Sequence, residues 1–310
     1  MNLTRRTFLG AAAACLPALS AAAMPKRALG RTGARVSILA FGCGSRFLQY
    51  KEEDDAIAAV HHALDLGITY FDTAADYGDG LSEQRLGKAL HGRREGVWVA
   101  TKVDERDGDA AMRTVDRSLN NLRDGVDLVH IHSLGSPDDL AAIEAKGNVL
   151  DRLLKLRDQK VIRAVGISCH TDPSVLRTAL ERHDFDCTQM ALNAARQGMA
   201  HLDTDPHGSF ETLALPVANR KNLGVIAMKV LAQDRLAGKA PTAQLMRYSL
   251  SLPVSAIVVG MPKMEHITEN AAAAKSFAVM TPEELKQMST ELSGAYKAEI
   301  DQHFREHRDA

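Results

Sequence analysis

The chain alternates between two kinds of segment about eight times, and this rhythm limits its fold more than any other feature. Short β-branched or aromatic runs that end in glycine or a charged residue are followed by longer segments with apolar residues at helical spacing. The runs predict strands over 36–41, 67–71, 97–102, 127–132, 163–168, 188–193, 224–229 and 255–259. Helices are predicted over 51–66, 110–122, 149–160 and 242–252. One more is capped by Ser82 and buries Leu86, Ala89 and Leu90, and another is opened by Asp172 and Pro173. A last helix starts at the capping box Thr281-Pro282-Glu283-Glu284. No linker or change of composition interrupts the alternation. The arithmetic fits an α/β fold of one domain, a (β/α)8 TIM barrel, better than an open sheet. An open dinucleotide-binding sheet would need a third glycine after its first strand, and Gly42-Cys43-Gly44-Ser45-Arg46-Phe47 lacks it.

A chain of 310 residues with 45% apolar and 25% charged residues can bury a core of this size. Its net charge of −1 implies no broad basic face, so no nucleic-acid partner is expected. The four cysteines are scattered without metal-ligand spacing.

Residues 1–23 read as a leader, which leaves 24–310 for the barrel. Thr4-Arg5-Arg6-Thr7-Phe8-Leu9 carries a twin arginine, and the Ala/Leu run after it is too short to span a bilayer. Ala21-Ala22-Ala23 offers a small-residue cleavage site. The expectation is export by the twin-arginine machinery to the periplasm or beyond, with no stable membrane span.

Three successive strands end in functional side chains. The first delivers Asp72, with Tyr77 in the turn that follows; the next ends at Lys102 and the third at His132. Strand ends on one rim are where an α/β barrel places chemistry. A phenol with an ordinary pKa near 10 becomes a better proton carrier beside an ammonium, which favours the phenolate. Lys102 can supply the ammonium, and Asp72 can hold Lys102. Tyr77 is then the candidate general acid for carbonyl reduction, with His132 hydrogen-bonding the carbonyl oxygen. His130 shares a strand face with His132, but no third metal ligand is visible and no metal site is expected.

These residues resemble the aldo-keto reductase family. Its aspartate-threonine-alanine pattern, closed by tyrosine-glycine, stands here as Asp72 to Gly78, its strand ending in lysine as Ala100-Thr101-Lys102, and its strand ending in histidine as 127–132. The resemblance runs from about Arg27 to about Asn270. It implies a hydride from a nicotinamide cofactor and a small-molecule carbonyl substrate. By the same resemblance Ser168 and Gln189 hold the nicotinamide amide, with Cys169 in place of the family's asparagine. Ala227-Met228-Lys229 occupies the strand end that would carry a stacking aromatic, so the stacking partner stays open. The resemblance implies NADPH, its 2′-phosphate gripped by the segment from Gly260 to Asn270. Glu269 and Asn270 match the adenine contacts, but Gly260 and Met261 stand where lysine and serine are usual and His266 where arginine is. Lys263 restores a charge there, so NADPH is expected over NADH by a modest margin. The alternative is a barrel that binds the cofactor as a redox sensor or interaction module, with little turnover.

Overall fold

The computed structural model describes residues 22–198 and 208–305. The twin-arginine stretch lies outside the described residues. Eight parallel strands close into a barrel: β3 (Leu39–Gly42), β4 (Tyr70–Asp72), β5 (Trp98–Val103), β6 (Leu128–Ile131), β7 (Ala164–Cys169), β8 (Cys187–Ala191), β9 (Gly224–Met228) and β10 (Ala256–Gly260), with β10 paired to β3. The eight strands expected from the sequence are these eight, in the same order.

Several boundaries differ: the strand expected over 67–71 is Tyr70–Asp72, that over 188–193 is Cys187–Ala191, and the first strand is divided. The segment 36–41 is not a single strand. Its first half belongs to β2 (Arg35–Ser37), which pairs antiparallel with β1 (Lys26–Ala28), and only the second half enters the barrel as β3. The hairpin stoppers the barrel's N-terminal mouth. Leu29 and Val36 pack with Ala40, Tyr70, Trp98, Leu128 and Ile226 in the apolar floor of the barrel. The turn fits because Gly30 has no side chain: a Cβ there would lie 2.1 Å from the Gly224 nitrogen, and φ is +51°.

Helices surround the strands and bury their apolar stripes on the outer barrel face. Between strands run α1 (Glu53–Asp65), α2 (Leu81–Leu90), α3 (Gly108–Leu122), α4 (Pro137–Glu144), α5 (Val149–Asp158) and α6 (Pro173–Arg182). Then follow α7 (Phe210–Leu213), α8 (Leu215–Arg220), α9 (Thr242–Ser251), α10 (Met264–Lys275) and α11 (Pro282–Arg305). Asp172 caps α6 through the Ser174 and Val175 N–H groups, as its position before proline predicts. The Thr281 box forms at α11, where Glu284 and Thr281 satisfy each other's backbone N–H. Ser82 does not cap α2. It is buried one residue inside the helix, donates to the Cys43 carbonyl at 2.6 Å and bonds the Thr73 hydroxyl at 2.8 Å, tying the β3 and β4 loops together. Short α4, α7 and α8 lie where no helix was expected.

Side chains alternate along each strand, so every second residue points into the barrel. Above the apolar floor the inward series is Asp72 on β4, Lys102 on β5, His130 on β6, Gly166 and Ser168 on β7, and Gln189 on β8. His130 needs room at mid-height, and its register partner Gly166 gives it: a Cβ on Gly166 would sit 2.3 Å from His130 Nδ1. The same period thus produces a hydrophobic base and a polar mouth.

Candidate active site

The site starts from a buried ion pair. Lys102 Nζ donates to Asp72 Oδ1 at 2.7 Å and to the Thr73 carbonyl at 2.7 Å, and the two side chains are 1% and 5% exposed. Gln189 Nε2 donates to the same Asp72 oxygen at 3.2 Å. Charges so deep require partners on both sides, and here each has more than one. Lys102 Nζ also stands 3.4 Å from the Tyr77 hydroxyl and 4.8 Å from the centre of its ring. The ring lies over Gly44, whose missing Cβ would come within 3.3 Å of it. Asp72, Tyr77 and Lys102 are therefore brought together as the sequence predicts.

His132 joins them at the rim. Its ring centroid is 6.0 Å from that of Tyr77, in an edge arrangement, and 6.0 Å from that of His170. Its Nδ1 lies 3.0 Å from Asp104 Oδ1 and 3.8 Å from Asp76 Oδ1. Asp76 is raised from its ordinary value by burial, which outweighs the pull of His132. Below the site His130 is held well under the ordinary histidine value, first by burial and then by the charges of Lys102 and His132. It is a neutral interior group.

A cavity of about 650 Å³ opens at this mouth, lined by Asp72, Tyr77, His170 and Gln189 at its inner end. Its outer wall carries Arg46, Lys229, Asp234, Arg235 and Gly260. Arg46 and Asp234 pair across it, and Arg235 is paired with Glu299 at 3.1 Å and His303 of α11 at 2.9 Å. The expected cofactor residues divide. Gln189 faces the cavity; its Nε2 is committed to Asp72, and among the described residues its buried Oε1 has no hydrogen-bond partner. A carboxamide N–H₂ is the kind of donor that oxygen lacks. Ser168 lies beside Gln189 in register but outside the lining; its Oγ accepts the Ser133 N–H at 2.9 Å and so secures the loop after His132. Cys169 turns away, its thiol donating to the Leu134 and Asp172 carbonyls and pushed up to about 12 by burial. Gly260 lines the cavity, whereas exposed Lys263, at the N-cap of α10, and His266, Glu269 and Asn270 within that helix do not. At the strand end where a stacking aromatic would stand, Met228 lines the wall.

Sequence reasoning missed Asp104, His170 and Arg46. The first two continue the inward period beyond the strand ends, two residues after Lys102 and two after Ser168, so extending the alternation past the last paired residue would have found them. Arg46 lies in the loop after β3 and reaches Asp234, far away in sequence, so no local signal marks it.

A model of the "Aldo/keto reductase family" matches residues 39–244. L-galactose dehydrogenase of Arabidopsis thaliana is 30% identical over 291 residues, covering 80% of this chain and 87% of that one. Pyridoxal 4-dehydrogenase of Microbacterium luteolum is 27% identical and covers 86% and 92%. Among solved structures, the holo form of an aldo-keto reductase from Bacillus halodurans superposes with a TM-score of 0.71 at 25% identity, covering 91% of this chain and all of that one. An aldo-keto reductase from Klebsiella pneumoniae in complex with NADPH gives 0.69 at 25% identity, covering 86% and 95%. With the matched segment running from β3 into α9 and enclosing the buried Asp72–Lys102 pair and Tyr77, the chain belongs to the aldo/keto reductase family.

Proposed function

We propose that the chain reduces an aldehyde or ketone to the alcohol, with NADPH as the preferred hydride donor and Tyr77 as the proton donor. NAD(P)H-dependent carbonyl reduction is the chemistry of the family to which the chain belongs. The observation that carries the reading is the Lys102 ammonium, buried between Asp72 and the Tyr77 hydroxyl.

A bound nicotinamide supplies the hydride. The chain supplies the rest. Gln189 offers its unpartnered Oε1 to a carboxamide, with Ser168 beside it in register. The Met228 thioether can contact an aromatic face. Tyr77 passes its phenolic proton to the carbonyl oxygen, and the phenolate it leaves is stabilised by the adjacent ammonium. Asp72 keeps Lys102 oriented and satisfied. His132, its ring edge-on to that of Tyr77, is the hydrogen-bond partner this reading assigns to the oxygen. The NADPH preference rests on Lys263 at the N-cap of α10, where a cation and free backbone N–H groups both favour a phosphate. The NADPH-bound Klebsiella pneumoniae neighbour is in keeping with it. One lysine is a weaker grip than a bidentate arginine, so the preference is modest.

Steady-state reduction of 9,10-phenanthrenequinone and 4-nitrobenzaldehyde with NADPH tests the reading. Turnover is expected. NADPH binding without turnover of any carbonyl in a broad panel would favour a cofactor-binding sensor or interaction module instead.

Export by the twin-arginine route is part of the same proposal, supported by Arg5 and Arg6 before the Ala/Leu run. Changing both arginines to lysine should leave the protein in the cytoplasm, because lysine lacks the planar guanidinium fork. Normal periplasmic levels of that double variant would remove the export assignment.

A further inference from the structure

His132 is fixed at three points. Its N–H donates to the Val103 carbonyl at 2.9 Å. Its own carbonyl accepts from Arg106 Nη2 at 2.8 Å, and Arg106 is itself clamped by Asp139 through two bonds of 2.7 and 2.9 Å. The third point is the contact between ring Nδ1 and Asp104 Oδ1 at 3.0 Å.

At an ion-pair distance of 3.0 Å, the chemistry of the two groups favours a hydrogen on Nδ1. An ionised carboxylate only accepts, so the pairing with Asp104 is favourable when Nδ1 carries the hydrogen. Burial acts to raise the Asp104 carboxyl, but the His132 hydrogen bond and the charges of His132, Arg106 and Lys102 outweigh it and leave Asp104 below its ordinary value. With Nδ1–H given to Asp104, a neutral His132 has only a lone pair at Nε2. It could not donate a hydrogen bond to a carbonyl oxygen from there. A second proton is required.

We propose that Asp104 is a positioning residue that holds the His132 ring by Nδ1 and keeps it doubly protonated, so that Nε2 presents a donor to the carbonyl oxygen during reduction. The catalytic consequence rests on the reductase reading of the site. During the step hydride adds to the carbonyl carbon, the π pair moves to oxygen, and oxygen takes the proton of Tyr77. His132 keeps both of its protons and stabilises the developing negative charge.

Among the described residues, the charged and titratable groups facing the ring agree with this. The loop after β4 presents Asp76 and Tyr77, β5 and its loop present Lys102 and Asp104, and His170 comes from the end of β7. Lys102 is paired with Asp72 and Arg106 with Asp139, so neither cation opposes the imidazolium at full strength. His130, below on the same strand, is neutral. Among the described residues, two carboxylates therefore face the Nδ1 edge.

The test is a ¹⁵N NMR titration of histidine-labelled protein, wild type against Asp104→Asn and Asp104→Glu, with His132→Gln to assign the signal. The His132 midpoint should fall by at least about one pH unit in Asp104→Asn and recover in Asp104→Glu. The alkaline limb of kcat/KM for carbonyl reduction should move down with it. An equal midpoint in wild type and Asp104→Asn would overturn the proposal, and a shifted midpoint with an unmoved rate profile would overturn the catalytic role. No wild-type turnover on any carbonyl would sink the reductase reading while leaving the titration difference in place, so the two failures are distinguishable.

Discussion

The Lys102 ammonium donates to Asp72 Oδ1 at 2.7 Å inside the barrel mouth, a contact in which both side chains are almost wholly removed from solvent. A pair like this adds little to stability over an apolar substitute, but removing one member strands the other. The arrangement therefore points to chemistry, and the 3.4 Å from Nζ to the Tyr77 hydroxyl supplies it.

Lys102→Met should be destabilised by about 3–5 kcal/mol in urea unfolding, because among the described residues Asp72 is left with Gln189 as its remaining side-chain donor. The surviving activity should have its pH profile displaced upward. Without the ammonium the phenolate is less favoured, so Tyr77 holds its proton to higher pH. A reduced rate with an unchanged profile would make Lys102 purely structural.

His130 gives the fold its own pH dependence. Its folded value lies well below the ordinary histidine value, with burial the first cause. The unfolded chain binds this proton more readily, so stability rises with pH across the interval between the two values. The contribution is fully present above the unfolded value of about 6.5 and is lost as pH falls below it, at up to about 1.4 kcal/mol per pH unit. Urea midpoints of His130→Leu should show a shallower slope below pH 6.5 than wild type; equal slopes would place the acid sensitivity elsewhere.

Much of this was legible in the sequence, for physical reasons that can be named. Period-2 strands ending in Asp72, Lys102 and His132 fix which rim they share, since alternation leaves only one inward face. The N-terminal hairpin was hidden because Val36 to Phe41 is continuously apolar apart from Ser37, and nothing in such a run marks where the chain leaves one sheet for another. Ser82 reads as a cap by residue type, yet Gly80 and Leu81 start the helix and the hydroxyl is used between loops. Arg46 with Asp234, and Arg235 with α11, are tertiary meetings that no local pattern encodes.

Lys263→Ala tests the cofactor preference. Loss of one exposed cation beside a phosphate corresponds to about 1 kcal/mol, so the KM for NADPH should rise roughly fivefold while that for NADH stays put. Equal effects on the two cofactors would remove the phosphate contact.

The account turns on Tyr77 as the proton donor, and Tyr77→Phe measures that directly, because the ring remains over Gly44 and only the transferable proton is lost. NADPH affinity, followed by fluorescence, should stay near the wild-type value. The kcat for 4-nitrobenzaldehyde should fall by about 10²–10⁴-fold. Turnover close to wild type in this variant would contradict the account.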